Sequence, residues 1–108
     1  MSGSGGGGGG QSRDQLDCET LVLKTHLNSP KPAVLTTLKK GSRLKIELQS
    51  QGGKSIVVAT TTQGQVAGSI TGAGLASLIN CLRSGFPFHA VVVSIAGGGC
   101  EVTVQPGA

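Results

Sequence analysis

The forty-one residues from Ser55 to Ile95, SIVVATTTQGQVAGSITGAGLASLINCLRSGFPFHAVVVSI, change their hydrophobic period twice. Ser55 to Thr60 is a β-branched run with Ile56, Val57 and Val58 at its centre, the mark of a well-buried strand. Thr60 to Gly64 turns the chain, and Gln65 to Ile70 reads as the next strand. Gly68 inside that strand predicts a bulge or a close approach of another backbone. The period then lengthens. Leu75, Leu78, Ile79 and Leu82 fall at i, i+3, i+4 and i+7, one stripe of a helix over Ala73 to Arg83 that faces a sheet. Thr71 is the expected N-cap, and Ser84-Gly85 the left-handed end. From Phe86 to Ile95 the chain returns to alternation, with Phe88, Ala90 and Val92 opposite His89, Val91, Val93 and Ile95. Both faces are apolar near the centre, so this strand belongs in the sheet interior.

The flanking sequence adds strands on both sides. Thr20 to Leu27 reads as the first, with Leu21, Leu23 and Leu27 on one face. Pro30 and Pro32 break it, because proline removes a ladder donor and fixes φ. Ala33 to Lys40 carries Val34, Leu35 and Leu38 at helical spacing, which predicts one or two turns of helix starting near Ser29 or Pro30 and stopped by Gly41. Arg43 to Gln49 alternates cleanly, with Leu44, Ile46 and Leu48 inward and Arg43, Lys45, Glu47 and Gln49 outward. Gln51-Gly52-Gly53-Lys54 is a hairpin turn. After Gly97-Gly98-Gly99, Cys100, Val102 and Val104 share one face of the last strand. The expected fold is mainly β: a small barrel or strongly curved six-stranded sheet, with one main helix and a short helical turn. Residues 18–105 form a single domain, and the Gly/Ser-rich residues 1–12 form a disordered tail.

Charge is concentrated in one segment of the 108 residues. Residues 24–54 hold Lys24, Lys31, Lys39, Lys40, Arg43, Lys45 and Lys54 against Glu47 alone, a balance of +6 within a chain whose net charge is +4. Residues 1–23 carry −2 and residues 55–108 balance to zero. A patch of this kind is either a solvated face or a contact surface for an anionic polymer. With two Phe and no Trp or Tyr, the chain lacks a platform on which bases could stack.

Other chemistry is sparse. Cys18, Cys81 and Cys100 show no Cys-x-x-Cys spacing, which argues against a zinc knuckle. Their odd number and the lack of a leader-like segment point to a reducing, cytoplasmic setting. Cys81 reads as a small buried hydrophobe, while Cys18 and Cys100 approach each other if the first and last strands pair. His26 and His89 sit on separate strands with no acidic cluster nearby, so no metal or other cofactor is expected. No nucleophile elbow surrounds any Ser or Cys, so no catalytic residues are assigned and the chain is not expected to be an enzyme. Gly72-Ala73-Gly74 before the main helix reads either as an anion-binding nest or as tight packing. No apolar run is long enough to span a bilayer.

Residues 33–95 resemble a HIRAN domain, a small β-barrel module found alone or fused to helicases and nucleases. Three segments carry the resemblance: Leu38-Lys39-Lys40-Gly41-Ser42-Arg43-Leu44 leading into a strand, Lys54-Ser55-Ile56-Val57-Val58, and the hairpin Gly64-Gln65-Val66-Ala67-Gly68-Ser69-Ile70. The helix, Gly85 and Ala90-Val91-Val92 follow in the same order. The resemblance implies a barrel-like fold and binding of single-stranded DNA or DNA ends. It also marks two departures. Gln51-Gly52-Gly53-Lys54 stands where the family has Asn-Pro-x-Asp, and Ser69 where it has tyrosine. Those family positions help hold a 3′ end, so recognition of a free end is not expected here. Two functions follow as expectations. One is a non-catalytic module contacting nucleic acid through Lys39, Lys40, Arg43, Lys45 and Lys54. The alternative is a protein-interaction or assembly module that pairs an exposed strand edge with a protein partner.

Overall fold

A computed structural model of the chain describes residues 17–108; the expected tail over residues 1–12 lies outside the described residues. Six antiparallel strands form one sheet: β1 (Leu23–His26), β2 (Arg43–Gln51), β3 (Lys54–Thr60), β4 (Val66–Ile70), β5 (Phe88–Ala96) and β6 (Gly99–Pro106). Their spatial order is β1-β6-β5-β2-β3-β4. Two helices accompany them, α1 (Pro32–Leu35) and α2 (Leu75–Arg83), and residues 17–20 are also helical. The fold is therefore mainly β, with one main helix and short helical turns. The sheet does not close into a barrel. A single bridge, Asn28 to Ser69, links the chain just beyond β1 to β4 at the far end of the order.

The alternation of β2 sets the two faces. Leu44 and Ile46 are buried and face Ala90 and Ala59 across the ladder, while Arg43 and Lys45 are exposed. Val57, Phe88, Val92, Val102 and Val104 complete the inward layer, and Leu78 of α2 packs onto it with no exposed surface. Aliphatic side chains supply nearly all of this core, as a chain almost without aromatics requires. Gly52 and Gly53 both take positive φ in the tight turn from β2 to β3, a conformation that glycine adopts without steric cost.

Several expectations are corrected. β1 begins at Leu23, not Thr20, because the chain is helical at 17–20. α1 covers only Pro32–Leu35, with Lys31 as N-cap and Pro32 in the first turn, and it ends well before Gly41. α2 starts at Leu75, and its N-cap is Gly74 at φ 87, not Thr71. Gly74 takes the left-handed φ of 87 that favours glycine, and a Cβ there would also lie 2.5 Å from Leu23 Cδ2 at the tip of that side chain. The first and last strands do pair, yet Cys18 bonds to Cys81 and not to Cys100. Cys81 is thus buried as half of a disulfide, and Cys100 is a buried free thiol. In β5 the register shifts between Val92 and Ser94, which pushes Val93 out to solvent.

Candidate functional site

The five cations named from the sequence fall at two places. Lys39 and Lys40 occupy a turn fixed at both ends. The Lys39 N–H donates to Ser42 Oγ at 2.9 Å, and the Ser42 N–H returns to the Lys39 carbonyl. Gly41 and Ser42 then bond to both backbone groups of Val92 on β5. The turn delivers the chain into β2, where Arg43 and Lys45 point outward two residues apart. These four cations form one basic corner. Lys54 is elsewhere: it pairs with Gln51 at the opposite end of the β2–β3 hairpin. Eight residue steps at about 3.4 Å separate Arg43 from Gln51, or about 27 Å.

Within the corner the charges are not equally free. The Arg43 guanidinium donates to the Ala108 carbonyl oxygen. Lys45 lies 3.7 Å from a carboxylate oxygen of Glu47 but stays largely exposed, so solvent screens the pair strongly. Lys24, outside the expected set, shares the outward row of Arg43 through Thr103 and Val91, three strands away. His89, opposite Lys45, is buried on this outward face. Its Nδ1–H donates to the Gly107 carbonyl at 3.0 Å, which leaves Nε2 to accept from the Gln105 amide at 3.1 Å. That ring is fully partnered, as expected of a strand histidine. Among the described residues no group of His, Cys, Asp or Glu is placed to hold a metal ion.

Where β2 leaves the corner it reaches a groove of about 550 Å³ over β3 and β4. Gln49 and Gln51 form one wall, Ile56 and Val58 the apolar floor, and Asn28, Ser29 and Lys31 the other wall, with Leu75 of α2 at one end. The second wall is held by backbone bonds. Asn28 and Ser69 exchange N–H to carbonyl bonds of 2.8 and 2.9 Å, and the Lys31 N–H donates to the Ala67 carbonyl at 2.9 Å. Gly68 permits this approach, since a Cβ there would lie 2.9 Å from Leu27 Cβ and 3.1 Å from the Asn28 carbonyl oxygen. Gln51 and Ser69 therefore line one groove although eighteen residues apart. Lys31 and Asn28 were not legible as groove residues. Their one trace in the sequence is the missing side chain at Gly68, which signals a neighbouring backbone without saying which one.

No protein-family model matches this chain, no curated protein matches it, and no solved structure matches it. Among the described residues no helix is long and apolar enough to cross a membrane. Fold and site define a small antiparallel β module, with a basic corner and a polar-walled groove at opposite ends of one exposed strand face.

Proposed function

We propose that the protein is a small non-catalytic binding module that holds a single strand of nucleic acid along the outward face of β2, mainly through phosphates. One observation carries this reading. The outward row Arg43, Lys45, Gln49 and Gln51 runs from the basic corner to the groove, interrupted only by Glu47, whose carboxylate is beside Lys45. Cations at the corner, Lys31 in the groove wall and Lys54 at the hairpin tip supply charge at both ends of that track. Base preference should be small. Phe88 is buried and Phe86 packs against the core, so neither offers a ring to an unstacked base. Ser69 and the segment 51–54 lack the family's end-holding side chains, so free and blocked 3′ ends should bind alike.

The strand-edge alternative has less to work with. The β4 edge is already bonded to residues 28–31, and the other sheet edge, β1, is four residues long and carries Lys24 and His26. A cytoplasmic place of action, favoured by the odd cysteine count, requires the Cys18–Cys81 bond to be open to cellular thiols. Fluorescence anisotropy with a labelled single strand, titrated across salt, tests the proposal. Replacing Lys39, Lys40, Arg43 and Lys45 with Ala should flatten the log–log salt slope by about 3 units, at ~0.7 for each phosphate of a single strand that is no longer neutralised. Absence of binding at low salt would discard the reading.

A further inference from the structure

We propose that Cys18 and Cys81 form a thiol-exchange site, at which low-molecular-weight thiols of the glutathione class open and close a latch at the α2 end of the groove. The consequence for ligand affinity rests on the binding reading above; the exchange itself does not. The bond joins a residue just before β1 to the second turn of α2. Every residue lining the groove lies between positions 28 and 75, so all of them sit inside the covalent ring closed at 18 and 81. The bond also ties one wall of the groove to its α2 end. The wall at Asn28, Ser29 and Lys31 follows directly from β1, and Leu75 belongs to α2.

The two cysteines are nearly covered, at 6% and 4% residue exposure, but they are approachable. One cleft of about 370 Å³ is lined by both cysteines together with Arg83, and a second of similar size is lined by Cys81 and Leu21. Arg83 also donates to Ser55 Oγ on β3 at 2.6 Å. Its side chain lines the same cleft and gives the carboxylates of a glutathione-class thiol a cationic partner there, with Asp17 the opposing charge in that lining. Cys100 takes no part. It is wholly buried in the core, and burial pushes its thiol pKa up, so exchange at 18 and 81 does not scramble the pairing. Opening is expected to leave the fold in place, because Leu78 packs α2 into the core independently of the bond.

The chemistry balances with two equivalents of thiol. The thiolate of the first attacks one sulfur of the bond, forms a mixed disulfide and releases the other cysteine, which takes the proton. The second thiol attacks the thiol-derived sulfur of the mixed disulfide and releases the remaining cysteine as a thiol. Two external thiols are oxidised to their disulfide as the protein bond gains two electrons. The same low-molecular-weight disulfide drives the reverse.

The test equilibrates the full chain in buffers of rising reduced-to-oxidised glutathione ratio, then alkylates it for mass spectrometry. Two new alkylation sites should appear at Cys18 and Cys81 while the far-ultraviolet signal stays native. Amide exchange at Asn28, Lys31 and Ser69 should rise about tenfold in the reduced form as local opening becomes easier. The double variant Cys18→Ser, Cys81→Ser should match the reduced protein, and both should bind a labelled single-stranded oligonucleotide several-fold more weakly than the oxidised form. A bond that opens only when the chain unfolds overturns the proposal, as does unchanged exchange at those amides. A change in amide exchange with no oligonucleotide binding in either form supports the latch and refutes the nucleic-acid reading.

Discussion

Gly68→Ala probes the seam where β4 meets residues 27–31. Gly68 is not among the glycines with positive φ, so alanine fits its backbone. On chain entropy alone the change would stabilise by about 0.4–1 kcal/mol. Against that, the new methyl would sit 2.9 Å from Leu27 Cβ and 3.1 Å from the Asn28 carbonyl oxygen, inside an ordinary carbon contact of ~3.5–4.0 Å. Neither atom can swing aside, because one is a Cβ and the other is backbone. Residues 27–28 must therefore move away from β4, stretching the bonds of 2.8 and 2.9 Å between Asn28 and Ser69. Overpacking of this kind costs about 1–3 kcal/mol, which at the middle of both ranges leaves a net loss of about 1.3 kcal/mol. With a urea m-value of about 1–3 kcal/mol/M, the unfolding midpoint should fall by roughly 1 M. Faster amide exchange at Asn28 and Ser69 should accompany it. A variant as stable as the parent, with unchanged exchange, would refute the seam.

Leu78→Ala should cost about 2–5 kcal/mol in urea melts, since Leu78 has no exposed surface, and a loss under ~0.5 kcal/mol would place it outside the core. Reducing the Cys18–Cys81 bond should lower stability by up to about 4 kcal/mol on the chain-entropy scale for a separation of 63 residues, read from thermal melts with and without dithiothreitol. Burial raises the Cys100 thiol from its ordinary 9.0, so the folded chain keeps a proton that the unfolded chain releases. Its share of stability is therefore full below 9.0 and falls as pH rises above that value; melts at about pH 8 and about pH 10 should show a decline that Cys100→Ala lacks.

The strands were legible wherever alternation was strict. Leu44, Ile46 and Leu48 face inward and Arg43 and Lys45 outward, as a period of two requires. The helical stripe was legible for the same reason, although burial centres on Leu78 and Cys81. The start of α2 was not, because the helix is entered through Gly74 in a left-handed conformation and not through a side-chain cap at Thr71. The disulfide was hidden because spacing says nothing about which cysteines meet once 17–20 turns helical and Cys18 reaches α2. The basic corner is a local run, Lys39, Lys40, Arg43 and Lys45, and a local run can be read directly. Lys54 is near it in sequence only, since the hairpin carries it to the other end of β2. The groove depends on residues 28–31 crossing to β4, a long-range pairing with no local pattern.

Amide chemical-shift mapping during titration with a short single-stranded oligonucleotide tests the binding face directly. Shifts should concentrate at Lys39 to Gln51, Lys31, Lys54 and Ser69, and fade as salt rises. Shifts confined to Leu23–His26 and insensitive to salt would contradict the account and return the function to the sheet edge.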